Sequence, residues 1–138
     1  MNQHTTRRQN VRGFTLIELL IVIVILGLLA SLVAPTMFSK VTSSQRDTAA
    51  TQMQMFETAL DTYRLDVGRY PEKLEEVRES DAPNWDGPYL PKALPKDPWG
   101  NDYVYRTPGE NGQPYYMASM GADGQEGGEE DNADIVHQ

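Results

Sequence analysis

The run GFTLIELLIVIVILGLLASLVAPTMFS, Gly13 to Ser39, decides the fold. From Leu19 to Ser39 it holds 21 residues without a charge, dominated by Leu, Ile and Val. At about 1.5 Å per residue a helix of that length reaches roughly 31 Å, the thickness of a bilayer's hydrocarbon core. The segment therefore reads as a membrane span rather than a core helix. Ahead of it, residues 1–13 carry Arg7, Arg8 and Arg12 and no acid. The positive-inside bias then puts the amino terminus in the cytoplasm and everything past the span outside it.

Beyond Ser39 lie 99 of the 138 residues, enough for one small core. A large multidomain enzyme is excluded by length. The 20 acidic residues against 12 basic ones give a net charge of −8, which argues against nucleic acid held on a broad basic face. Without cysteine there is no disulfide, thiolate metal site or cysteine nucleophile.

Past the membrane, Ala49, Met53, Phe56, Leu60, Tyr63 and Val67 recur at helical spacing and form one apolar stripe. A helix is expected to about Asp66. It continues the membrane span as one rod, because no proline follows Pro35 and no glycine follows Gly27 before that point. Pro35 lies within the span, removing a hydrogen bond there, and Gly27 loosens the same helix; both residue types are common in membrane helices. Gly68 to Pro71 end the rod. A short helical turn is expected between Glu72 and Glu79, then an irregular stretch rich in proline and a tight turn at Pro98 to Asn101. Asp102 to Arg106 and Tyr115 to Ser119, separated by Pro108, Gly109, Asn111 and Gly112, read as an antiparallel pair. The expected fold class is α+β: a long membrane-spanning helix that continues into a small antiparallel sheet domain.

A secretory signal has its small-residue cleavage site after the apolar region. Here the small residue, Gly13, comes before it. The run from Arg12 to Glu18, followed by Leu19, Leu20 and Ile21, resembles the class III signal of type IV pilins and pseudopilins. That resemblance implies cleavage after Gly13 by a membrane-embedded prepilin peptidase and methylation of the new terminal Phe14. Residues 1–13 would leave as a leader, 14–39 would stay as membrane anchor and filament-core helix, and 40–138 would form a periplasmic domain. The mature chain would hold 9 basic residues against 20 acidic ones, a net of −11.

Glu18 asks for an explanation, since a carboxylate in an apolar span is costly. On spacing alone two answers stand. Either it sits wet at the cytoplasmic interface, or it meets the amine at Phe14, of its own chain or of a neighbour. The resemblance implies the neighbour's amine, a pair that sets subunit register in a filament, and it also matches a proline at Pro35.

The segments Gly68 to Pro71 (GRYP), Tyr89 to Pro91 (YLP), Leu94 to Asn101 (LPKDPWGN) and Gly121 to Gly124 (GADG) are similar to major pseudopilins of the type II secretion system. The missing cysteines fit that group better than pilins closed by a disulfide. The tail from 121 to 134 holds four glycines and six acids, with no Lys or Arg after Arg106. Composition alone suits a solvated or disordered tail, or a hard cation with oxygen ligands; zinc is disfavoured, with His137 the only nitrogen ligand near. The spacing is not that of an EF-hand. The resemblance implies one calcium, with ligands at Asp123, Asp131 and Asp134 and the Met120 carbonyl, and Asn132 as a further candidate. The ending Ile135, Val136, His137, Gln138 departs from the family's usual continuation.

The rival class is a tethered hydrolase. His4 would leave with the leader and His137 is next to last, so a histidine base in a cleft is not expected. No GxSxG elbow, P-loop or HExxH occurs. The implied role is a structural subunit of the inner membrane, single-pass, that polymerises as a helical filament, the periplasmic pseudopilus, and drives export of folded proteins. Its expected partners are copies of itself, minor pseudopilins, an inner-membrane platform protein and an assembly ATPase, with no nucleic acid. The alternative within this class is the major pilin of a type IV or competence pilus.

Overall fold

The structure, a computed structural model, describes residues 12–137. Most of the expected leader, residues 1–11 with His4, Arg7 and Arg8, lies outside the described residues. The elements in chain order are helix α1 (Leu16–Val67), a 3-10 turn at Leu74–Val77, strands β1 (Val104–Arg106) and β2 (Tyr116–Ser119), a second 3-10 turn at Glu130–Asn132, and strand β3 (Ile135–Val136). Contacts divide the chain into two compact units that meet between Ser39 and Lys40.

Helix α1 is unbroken for 52 residues with Pro35 inside it, as the spacing predicts. It begins where Thr15 Oγ1 accepts the Glu18 amide at 3.3 Å, an N-terminal cap that satisfies one of the helix's otherwise orphan donors. In the first unit the large apolar side chains from Leu16 to Phe38 are exposed, and the helix is long and apolar enough to cross a membrane. Its hydroxyls fold back onto the helix: Ser31 donates to the Leu28 carbonyl at 2.7 Å, Thr36 to Val33 at 2.8 Å and Ser39 to Thr36 at 3.1 Å. The hydrogens of these three hydroxyls thus have partners without water, which an apolar solvent demands.

In the second unit the expected stripe is the core. Ala49, Met53, Phe56, Leu60 and Tyr63 are buried together with Ala59, while Val67 at the helix end is half-buried. Leu74, Val77, Leu90 and Met117 complete the cluster. Gly68 stops the helix at φ +89, a left-handed turn that glycine takes at little cost, and its amide returns to the Arg64 carbonyl at 2.8 Å. Glu76 fastens the first 3-10 turn to α1: one oxygen accepts the amides of Glu72 and Lys73 at 3.0 Å, and the other accepts the Tyr63 hydroxyl at 2.9 Å.

The strands pair in the order β1-β2-β3, all antiparallel, with Tyr105 opposite Met117 and Ala118 opposite Val136. Two strands are expected from the sequence, with the tail as loop. Ile135 and Val136 return beside β2 as a third. Two residues carry too little alternation to announce a strand; only the edge offered by β2 makes them one.

Tyr103, Tyr105 and Tyr115 are half-buried against this core, and Tyr103 stands edge-on to Phe56 at 5.1 Å. Burial pushes all three phenols well above their ordinary 10.0, with the Asp97 charge adding at Tyr103 and those of Glu57 and Asp61 at Tyr115. An unfolded chain loses these protons near pH 10 while the folded one retains them. The folded state therefore binds more protons above that point, and stability falls as pH rises. Denaturant unfolding of the detergent-solubilised chain is expected to give a constant midpoint just below pH 10 and a declining one above it. A midpoint that stays level through strong alkali contradicts the burial of these rings.

Candidate functional site

Three places carry chemistry: the junction before α1, the acidic loop between β2 and β3, and the cleft around His137. At the junction, Gly13 and Phe14 lie ahead of the helix in exposed, non-helical chain, and Phe14 is 82% exposed. A peptide bond must leave regular helix to enter a protease, and this one is already outside. Glu18 occupies the first turn of α1, where the helix dipole favours a negative charge. Thr15 with Glu18 also has the T-x-x-E spacing of a helix start, a signal legible in the sequence.

The acidic loop is built from outside. Its first support is the turn at Pro98 to Asn101, organised by Asp97, which is 4% exposed. Asp97 Oδ1 accepts the amides of Trp99 at 3.1 Å and Asn101 at 2.8 Å, while Oδ2 accepts the Ser119 hydroxyl of β2 at 2.7 Å. Asn101 Nδ2 then donates to the Gly121 carbonyl at 3.2 Å, where the loop leaves β2. The second support is Arg46 on α1, whose Nη1 donates to the carbonyls of Ala133 at 2.9 Å and Glu130 at 3.3 Å. Sequence spacing gave no sign of Arg46, because its partners are backbone atoms more than eighty positions away.

Within the loop the chain folds against Asn132. Gly121 at φ +67 and Gly128 at φ +90 pass so close that a Cβ on either would stand 2.8 or 2.6 Å from the Asn132 carbonyl oxygen. The Ala122 amide donates to the Asp131 carbonyl at 2.9 Å, which brings the start of the loop to its second 3-10 turn.

Of the expected calcium ligands, Met120 is buried at the end of β2, and Asp123 and Asp131 are exposed. Asp123 Oδ1 accepts the Gln125 amide at 3.0 Å, and Asp134 Oδ2 accepts the Gly127 amide at 2.9 Å. Among the described residues no three Asp, Glu or His side chains converge as a ready metal cluster. Two of the carboxylates expected to gather, Asp123 and Asp134, are occupied with amides of their own loop. One atom departs from this: Asp134 Oδ1 is buried and has no hydrogen-bond partner. A buried carboxylate oxygen left without a donor is costly, and the groups expected as ligands, the Met120 carbonyl and the Asp123, Asp131 and Asp134 carboxylates, all offer oxygen, the atom a hard cation takes. The residues present therefore fit calcium, with carbonyls making up what side chains do not supply.

His137 corrects the sequence reading, which set it aside as a tail residue. Its side chain is 12% exposed and Nε2 lies 3.1 Å from Glu57 Oε2 on α1 without making a hydrogen bond. Its amide donates to the Met117 carbonyl at 2.9 Å. With Asp61, Arg64, Tyr70 and Tyr115 it lines a cleft of about 530 Å³. The ring's approach to Glu57 ties the end of the tail to α1.

The chain was compared with known proteins. Residues 36–138 match the family model for type II secretion system (T2SS), protein G, and residues 8–34 match that for the prokaryotic N-terminal methylation motif. The type II secretion system core protein G of Vibrio cholerae is 45% identical over 131 residues, covering 89% of this chain and 88% of that one. The protein of the same name from Pseudomonas aeruginosa is 39% identical over 137 residues, covering 94% and 96%. Among solved structures, the major pseudopilin from the type 2 secretion system of enterohaemorrhagic Escherichia coli superposes with a TM-score of 0.57 at 31% identity, covering 68% of this chain and 86% of that one.

Asp97 gives the test of how the loop is carried. Asp97→Ala strands a buried hydroxyl and two amides, each worth about 1–3 kcal/mol when left unsatisfied, whereas Ser119→Ala removes one partner. Denaturant midpoints should fall in the order wild type, Ser119→Ala, Asp97→Ala. Equal midpoints for Asp97→Ala and wild type would show that the turn does not depend on this carboxylate.

Proposed function

The chain belongs to the protein G family of the type II secretion system, and we propose that it works there as the structural subunit that polymerises into the periplasmic pseudopilus and drives folded proteins across the outer membrane. The observation that carries this reading is continuity: the methylation motif and the protein G match cover residues 8–34 and 36–138 of one chain, with an apolar helix starting at Leu16. Relatives named as core protein G at 39–45% identity over most of the chain favour the pseudopilus over a type IV or competence pilus.

The chain's own residues suggest the path. A prepilin peptidase hydrolyses the bond after Gly13, and the amine freed on Phe14 is methylated. The helix is held in the inner membrane with its start in the cytoplasm and residues 40–138 in the periplasm. During assembly Glu18 meets the Phe14 amine of a neighbouring subunit, so a charge that is expensive in lipid is matched by one of opposite sign. The apolar side chains exposed along Leu16 to Phe38 exchange lipid for neighbouring helices around Pro35. Work comes from a cytoplasmic ATPase through an inner-membrane platform protein, and minor pseudopilins share the filament. The chain itself catalyses nothing: its family is one of structural subunits.

The acidic loop is proposed to hold one calcium ion through the Met120 carbonyl and the carboxylates of Asp123, Asp131 and Asp134, with Asn132 as a further oxygen donor. The support is the buried, partnerless Asp134 Oδ1 and the net acidity of the tail. Calcium, when bound, supplies the positive charge that six acids lack.

Mass analysis of protein from membranes is expected to find residues 1–13 gone and one methyl group on Phe14. A chain intact from Met1 refutes processing and, with it, filament entry. For the loop, calcium at a hundredfold above its dissociation constant should add about 2.7 kcal/mol of stability, visible as a raised melting temperature that Asp123→Ala abolishes. Identical melting with calcium and with chelator rejects the metal.

A further inference from the structure

We propose that Arg46 is a positioning residue for the cation of the acidic loop, an inference that rests on the calcium reading above. After Arg106 the chain carries no Lys or Arg, so any fixed positive charge beside the loop must come from another element. Arg46 supplies it from α1, one helical turn before buried Ala49, and it is itself half-buried. Its hydrogen bonds go to two carbonyls, those of Glu130 and Ala133, rather than to a carboxylate. That choice matters: a guanidinium paired with Asp131 or Asp134 would take up a ligand, while one on the flanking carbonyls fixes the backbone and leaves the Asp131 carboxylate and Asp134 Oδ1 to an ion.

The bracketed segment also needs holding. Glu130 sits at φ +52, a left-handed conformation a non-glycine residue avoids unless surrounding contacts impose it. The Arg46 contact is on that residue's own carbonyl. Asp131 and Asp134, two of the proposed ligands, stand just inside and just outside the pair of carbonyls that Arg46 grips. Ordering a loop before the ion arrives lowers the entropy lost on binding. The opposing effect, repulsion between guanidinium and cation, is weakened by water on the exposed Glu130 side of the guanidinium. Ordering therefore dominates, and removing Arg46 should weaken binding.

The test uses the full chain in detergent micelles, stripped of metal and titrated with calcium by calorimetry. Arg46→Ala should lose about tenfold in calcium affinity, in the range seen for residues that orient metal ligands, and Arg46→Lys should recover part of it. Terbium placed at the same site should show more bound water in Arg46→Ala than in wild type, from emission lifetimes in H2O and D2O. Melting in chelator separates a folding defect from a positioning one, and Arg46→Lys keeps the comparison valid should the alanine variant unfold. Wild-type affinity and hydration in Arg46→Ala overturn the positioning role and leave the calcium reading standing. A wild-type chain that takes up no calcium overturns both, and is recognised because Asp123→Ala then matches it.

Discussion

Everything outside the membrane depends on one apolar stripe of α1. Met53, Phe56, Leu60 and Tyr63 are the large side chains that the 3-10 turn, Leu90 and Met117 close over. Fully burying each such side chain contributes about 1.5–3 kcal/mol, and a domain this small has few other sources. Three short strands of two to four residues have little stability of their own. They persist because their inner faces meet the helix.

The polar contacts answer a different need. Glu76, Asp97 and Arg46 each bind two elements, and each uses its charged atoms mainly on backbone groups or hydroxyls. Charge-assisted hydrogen bonds of this kind are stronger than neutral ones. They let a chain rich in proline and glycine hold defined loops without disulfides, which it has no cysteine to make. The motifs that stood out in sequence are these joints: Gly68 stops the helix, Pro71 offers its carbonyl to the Tyr105 hydroxyl at 2.9 Å, and the Asp97 turn carries the entry to the acidic loop.

For the secretion filament this arrangement divides labour along the chain. Residues around Leu16 to Phe38 present apolar side chains that a single chain leaves uncovered, the condition for a helix that trades lipid for copies of itself. The acidic loop, by contrast, is anchored at Asn101, Arg46 and β3 before any ion is considered. An ion there would act on a loop already tied to the helix stripe, so its charge would be felt by a packed domain rather than by a loose tail.

The sequence by itself determined the long helix, its membrane half, the buried stripe, the helix stop and the first two strands. Each is written in local period or in residues with one conformational use, such as the uncharged run to Ser39 or Gly68. It also located the proposed processing junction, since Gly13 and Phe14 precede the apolar run in order. Only the tertiary structure decided that Ile135 and Val136 become a strand, that His137 lies against Glu57, that Ser119 is bound by Asp97, and that Arg46 holds the loop. These join residues far apart in the chain, and their partners are backbone atoms or side chains with no shared period. A one-dimensional pattern records neighbours along the chain; it has no mark for a carbonyl that the fold brings within 3 Å.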